Sequence, residues 1–222
     1  MAKTRKLEGN IRKLVMTAML SAVATVLLIL NFPIPLMPPF IKFDFSELPA
    51  LIASFSMGPF WGVLVCFIKN LINLLIKFET FGVGELSNFL LGVSLVLPAG
   101  LIYRLKGGRM GALLGCLAGS VLMSAVSLPI NAFVTYPIYA TVFVPGATAE
   151  EGMAVIVGLY QKILPAVQDL WQCLLVFNAP FTLAKGLVNT LLCFLVYKPL
   201  SWFIQGKTRG KGKKSPENAN NS

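Results

Sequence analysis

The chain has 222 residues, 56% of them hydrophobic and 13% charged, and its mean hydropathy is +0.75. Soluble domains run at about 45–50% apolar and about 25% charged, so this composition excludes a soluble globular protein and fits one polytopic membrane domain. The formal charge of +10 comes from lysines and arginines gathered at the two ends and in one internal loop. It lacks the interleaved aromatics of a nucleic-acid surface and reads as cytoplasmic juxtamembrane charge.

Residues 1–10 form a basic cytoplasmic tail, followed by a helix over about Ile11 to Asn31. The apolar run Leu14 to Leu30 is longer than the h-region of a signal peptide, about 7–15 residues, and no small-x-small cleavage site follows it. It is therefore a retained span. Ala18 and Ala22 lie one turn apart on it, a spacing that lets another helix approach closely in lipid and fits either internal packing or a partner helix. The next stretch, Asn31 to Leu51, carries Pro33, Pro35, Pro38, Pro39 and Pro49, so it cannot be one regular helix. Leu36, Met37, Phe40, Ile41, Phe43 and Phe45 make it too apolar for a solvent loop. A stiff wall or lid at the mouth of a pocket is expected.

A short second helix is expected from Ser46, acting as its cap, to about Ser56, ended by Met57-Gly58-Pro59. A third covers about Phe60 to Ile76 and holds Lys69 well inside it. A lysine there must pair, snorkel or contact a ligand, since a charge at the bilayer centre costs at least a few kcal/mol. After the polar turn KFETFGVGE, a fourth helix runs from Glu85 to about Tyr103, and the basic loop RLKGGR follows. The fifth, rich in glycine and alanine, passes from about Met110 through Pro129 and Asn131 to near Tyr139. Glu150, Glu151, Gln161, Lys162, Gln168 and Asp169 mark an amphipathic interfacial helix within an outer insertion, about 141–178. A last helix covers about Ala179 to Phe203, and 205–222 is a disordered basic and polar tail. The expected fold class is an all-α membrane protein of six transmembrane helices in a domain over 11–204, with the proline-rich outer loop after the first. Six crossings put all three basic clusters, and both termini, in the cytoplasm. The second helix is too short to cross about 30 Å of hydrocarbon at about 1.5 Å per residue, so its flanks must extend it or it is sunken.

There is no histidine, and the four cysteines form no CxxC pair, which argues against a zinc site, a disulfide framework or a histidine centre. Gly206-Lys207-Thr208 imitates the end of a phosphate loop, but Ser201 stands where its first glycine belongs and no strand precedes it. No nucleophile elbow and no paired acids appear, so no catalytic residue, metal or cofactor is expected and the chain is not read as an enzyme. The polar groups gather at the outer end, as in a capped binding site for a flat aromatic molecule. Phe40, Phe43, Phe45 and Tyr136 supply rings, while Asn131, Thr182 and Lys185 supply donors and acceptors. Asn131 equally fits a role satisfying the backbone beside Pro129, and Lys185 equally fits snorkelling.

The run FPIPLMPPFIKFDFSELPALIASFSMGPFWGVLVCFIKNLI, Phe32 to Ile72, resembles the hallmark region of the S components, the substrate-binding subunits of energy-coupling factor (ECF) vitamin transporters. KFDFSELPALI (Lys42 to Ile52), GELSNFLLG (Gly84 to Gly92) and PFTLAKG (Pro180 to Gly186) are similar to the riboflavin-specific branch. The resemblance covers roughly residues 11–204. It implies uptake of riboflavin, bound as transported ligand on the outer side of a bacterial cell membrane. The implied contacts are Leu36, Met37, Phe40, Ile41, Asn131, Thr182 and Lys185, with threonine at 182 where the family often has asparagine. It also implies a transmembrane coupling protein and two ABC ATPases as partners, reached through Ala18 and Ala22, and toppling in the membrane to release the vitamin. The alternatives are an S component for another vitamin, or a stand-alone carrier or membrane enzyme.

Overall fold

The computed structural model describes residues 2–78, 80–143 and 148–204; the expected tail at 205–222 and positions 144–147 of the insertion lie outside the described residues. Among the described residues the chain is helical almost throughout, and five helices are long and apolar enough to cross a membrane. The expectation of six transmembrane helices is therefore met only in part, and the exception is the second, already expected to be short.

Helix α1 (Ala2–Ile29) begins well before the expected Ile11, because nothing in the basic segment breaks a helix. It leads into the proline loop, which folds back on itself through a two-stranded antiparallel pair, β1 (Phe32–Pro33) and β2 (Lys42–Phe43). The phenyl rings of Phe32, Phe43 and Phe45 pack together there, and Phe43 meets Phe181 edge-on with centroids 6.0 Å apart. That stack replaces the backbone hydrogen bonds that prolines cannot donate.

Helix α2 (Glu47–Met57) has 11 residues, about 16 Å at about 1.5 Å per residue. The expected Ser46 side-chain cap is absent: Ser46 has helical dihedrals and makes no cap hydrogen bond. Its hydroxyl is drawn instead to Asp44 (2.5 Å) and Lys69 (2.6 Å), a stronger, charge-assisted set of partners. Gly58, at φ 113° where a side chain would be strained, turns the chain sharply, and Pro59 opens α3 (Pro59–Ile76). This turn lies at the basic end of the bundle: a Cβ on Gly58 would stand 3.9 Å from the Arg104 guanidinium, and Met57 meets Thr17 of α1.

Helix α4 (Val83–Lys106) and α5 (Gly108–Ile130) cross at backbone contact. A Cβ at Gly115 would lie 2.5 Å from the Ala99 carbonyl oxygen, and one at Gly119 would lie 2.3 Å from that of Leu95. Small residues permit this approach, which is how helices gain packing energy in lipid. Beyond α5 the helix loosens into a π-turn (Asn131–Thr135) and continues as α6 (Tyr136–Phe143). Helix α7 (Ala149–Gln161) opens with a capping box between Thr148 and Glu151 and buries Ile156 and Tyr160 against α6. The last helix starts earlier than the expected Ala179: α8 (Leu170–Cys173), a second π-turn (Leu174–Asn178) and α9 (Ala179–Ile204) are continuous.

Both π-turns have the same cause. Pro137 and Pro180 each follow the end of a π-turn by two residues. A proline ring clashes with the carbonyl four residues back, here Phe133 and Val176, and a wider turn relieves the clash.

Candidate functional site

At the end of the bundle opposite Gly58 and Arg104, a cleft of two chambers opens between the proline loop, α3, α4, α6 and α9. The outer chamber has a volume of about 740 Å³ and the inner one about 130 Å³. Phe40, Lys42, Gly84, Asn88, Tyr139 and Lys185 line both, so they form one cleft with a narrow neck. The outer size falls within the range of about 300–1,000 Å³ typical of small-molecule sites.

Phe40 guards the neck. Its ring meets Tyr136, Tyr139 and Tyr160 edge-on, with centroids 5.7, 5.8 and 6.2 Å away. The tyrosines are held in turn by a closed set of hydrogen bonds. Tyr136 O–H donates to the Tyr160 oxygen (2.5 Å), Tyr160 O–H donates to Asn178 Oδ1 (2.6 Å), and Asn178 Nδ2 donates to the Tyr136 oxygen. Each group gives one bond and takes one, so three buried polar groups are satisfied without water. Asn178 reaches this position because it lies in the second π-turn. In the first π-turn, Thr135 meets Ser87 of α4 at 2.5 Å and Asn131 faces the inner chamber.

Charge enters through a string of alternating groups. Lys185 Nζ donates to Asp44 Oδ2 (2.8 Å) and to Asn88 Oδ1 (3.4 Å). Asp44 Oδ1 accepts from the Ser46 backbone N–H (2.9 Å) and hydroxyl, and Lys69 Nζ donates to Ser46 Oγ (2.6 Å) and Glu47 Oε1 (2.7 Å). Two ammonium groups and two carboxylates thus cancel, which is what lets four charges stay buried. Of the options for Lys69, pairing is the one realised, and Glu47 is its partner. Lys185 does not snorkel: it is turned inward at the neck.

Of the ligand contacts expected from the resemblance, Phe40, Ile41, Asn131, Thr182 and Lys185 come together around the inner chamber. Leu36 is 71% exposed on the loop, and neither it nor Met37 lines the cleft. Phe43 and Phe45 stack behind the wall, while Tyr136 is on it. Ala18 and Ala22 are exposed on the outward face of α1. Sequence reasoning missed Asp44, Asn70, Asn73, Tyr139 and Asn178 as site residues, and Leu159, which carries the insertion's α7 to the outer chamber. A signal for part of this set is present in the sequence: Asn70 and Asn73, and likewise Glu85 and Asn88, are spaced three apart on apolar helices, where polar side chains turn to a bundle interior or cavity.

Residues 12–197 match the family model described as ECF transporter, substrate-specific component. Among curated proteins, the riboflavin transporter RibU of Staphylococcus aureus is 33% identical over 194 residues, covering 87% of this chain and 93% of that protein. The riboflavin transporter FmnP of Bacillus subtilis is 30% identical over 200 residues, covering 88% and 95%. A solved structure described as the S component of a bacterial ECF transporter superposes with a TM-score of 0.66 at 30% identity, covering 88% of this chain and 99% of that one. This chain is therefore a multi-pass membrane protein and not an enzyme, and it belongs to the substrate-specific components of ECF transporters.

Proposed function

We propose that this chain is the riboflavin-binding subunit of an ECF transporter, taking up the vitamin with an ATP-driven coupling module. The observation that carries the reading is the narrow inner chamber. It sets the aromatic rings of Phe40, Tyr136, Tyr139 and Phe181 beside the hydrogen-bonding groups of Asn131, Thr182 and Lys185, which suits a planar ring edged with nitrogens and carbonyls. Two relatives at 33% and 30% identity bear riboflavin-transporter names. Phe40, Ile41, Asn131, Thr182 and Lys185 are the proposed contacts, with Leu36 and Met37 joining when the loop closes over the ring.

The short α2 counts as the sixth crossing in this reading. The proline loop descends to the level of Lys69, in the middle of α3, and α2 completes the passage to the basic end. Both termini then lie in the cytoplasm of a bacterial cell. Ala18 and Ala22, exposed on α1, are the proposed contact with a transmembrane coupling protein that works with two ABC ATPases.

Protein purified from cells supplied with riboflavin should be yellow and should quench flavin fluorescence. Titration with riboflavin, thiamine and biotin should give saturation with riboflavin alone. A colourless preparation that binds none, or one that prefers thiamine or biotin, refutes the assignment. Lys185→Ala should weaken flavin binding by about 30-fold or more, since it removes a contact and strands Asp44; unchanged affinity removes Lys185 from the site.

A further inference from the structure

Two pairs of aromatic rings at the cleft end of the bundle turn away from the protein. Phe78 and Phe81, in the turn between α3 and α4, meet edge-on with centroids 6.3 Å apart and are 71% and 73% exposed. Phe133, in the first π-turn, meets Trp171 at the start of α8, 6.0 Å away, and is 70% exposed. Asn131 and Thr135, two residues to either side of Phe133, line the inner chamber, so its ring leaves by the other face of that turn. Phe81 also has φ 52°, a left-handed conformation that glycine or asparagine takes at less cost. Most of its ring is left uncovered by the described residues, so little within them offsets that strain.

The lipid-facing surface shows what covers these rings. Phe67, Leu71 and Leu75 are exposed at helical spacing along α3, and Phe78 continues the stripe past the helix end. Trp171 likewise begins a stripe that Leu175 continues one turn on. With 18 residues, α3 is about 27 Å long at about 1.5 Å per residue, close to the about 30 Å of a hydrocarbon core, so Phe78 falls at its edge. Polar groups begin at the same places: Lys77 precedes Phe78, and Asp169 caps α8 two residues before Trp171. Rings that end a lipid-facing stripe beside the first polar groups fit the boundary between headgroups and acyl chains.

We propose that the Phe78–Phe81 and Phe133–Trp171 pairs dock on the phospholipid interface at the cleft side of the membrane. Insertion of the Phe81 ring there offsets its backbone strain. It also holds the turn into α4 at headgroup level, and with it Gly84, which edges both chambers of the cleft.

The four native cysteines are buried, so a thiol placed at an exposed position can be labelled selectively. The full chain carrying Phe81→Cys, Phe133→Cys or Leu71→Cys, each labelled with nitrobenzoxadiazole, is placed in phosphatidylcholine nanodiscs. The lipid bears a nitroxide either near the headgroup or deep in the acyl chain. At positions 81 and 133 the shallow nitroxide should quench the label about twofold or more beyond the deep one, and aqueous iodide should quench it weakly. At Leu71, seven residues and about 10 Å deeper than Phe78, the order of the two nitroxides should reverse. Strong iodide quenching with no lipid quenching at position 81 or 133 puts that ring in water and overturns the proposal for its pair. Stronger quenching there by the deep nitroxide overturns it too, since the ring would then belong to the hydrocarbon and mark no boundary.

Discussion

Replacing Lys69 by methionine keeps most of the side chain's volume and removes its charge from a place where nothing else can neutralise Glu47. Both side chains are 0% exposed and their charged atoms are 2.7 Å apart. The remaining contact to Glu47, from Cys66 Sγ at 3.6 Å, is a weak donor. Breaking a buried pair by removing one partner costs about 3–5 kcal/mol, and Ser46 Oγ loses a donor worth about 1 kcal/mol more. Glu47→Gln alone strands Lys69 and should cost a similar amount. The double variant Lys69→Met, Glu47→Gln leaves no buried charge at this point, so its loss should be about 1–2 kcal/mol. Unfolding in mixed micelles, followed by tryptophan fluorescence, measures all three. The single losses sum to about 7–11 kcal/mol on this reasoning, far above the double. A double variant as damaged as that sum would show that the two residues act independently and that the pair does not hold α2 to α3.

Asp44→Asn leaves the buried Lys185 ammonium, 2.8 Å away, without its counter-charge and should cost about 3–5 kcal/mol in the same unfolding assay; a loss below about 1 kcal/mol would show that the tie between the loop and α9 carries no weight. Tyr160→Phe opens the closed set of three hydrogen bonds, leaving Asn178 Oδ1 and the Tyr136 hydroxyl short of a partner. It should cost about 1–3 kcal/mol and expose the connection after α7 to protease in limited digestion. Gly119→Leu drives a side chain into the Leu95 carbonyl oxygen, 2.3 Å from the first added carbon, and should abolish recovery of folded protein on size exclusion. Gly9→Leu, where an added Cβ meets nothing within 4 Å, is the control that should be tolerated.

The long apolar helices and their order were legible because a bilayer leaves few options, whereas their number was legible only in part. Apolar runs of the right length must be helices. The irregular loop was legible from its prolines, and the sharp turn at Gly58 from the Gly-Pro step. Ser46 misled because a serine before a glutamate is a good local cap, yet the tertiary partners Asp44 and Lys69 compete for the same hydroxyl and win. The π-turns escaped notice because Pro137 and Pro180 read equally as kinks or breaks, and only the surrounding helices decide how the freed carbonyls are accommodated.

From the amino-acid order alone it follows that Lys69 must pair, snorkel or contact a ligand, and that Lys185 must snorkel or contact one, since a lone ammonium in hydrocarbon is too costly to keep. Which carboxylate serves which lysine does not follow. Glu47 is 22 positions from Lys69, whereas Asp44 is 141 positions from Lys185, and both acids sit in the same short block. Electrostatic need is a property of each residue and its place in a helix. The choice of partner, and with it the shape of the cleft, is a property of how the helices cross, which depends on every packed surface at once.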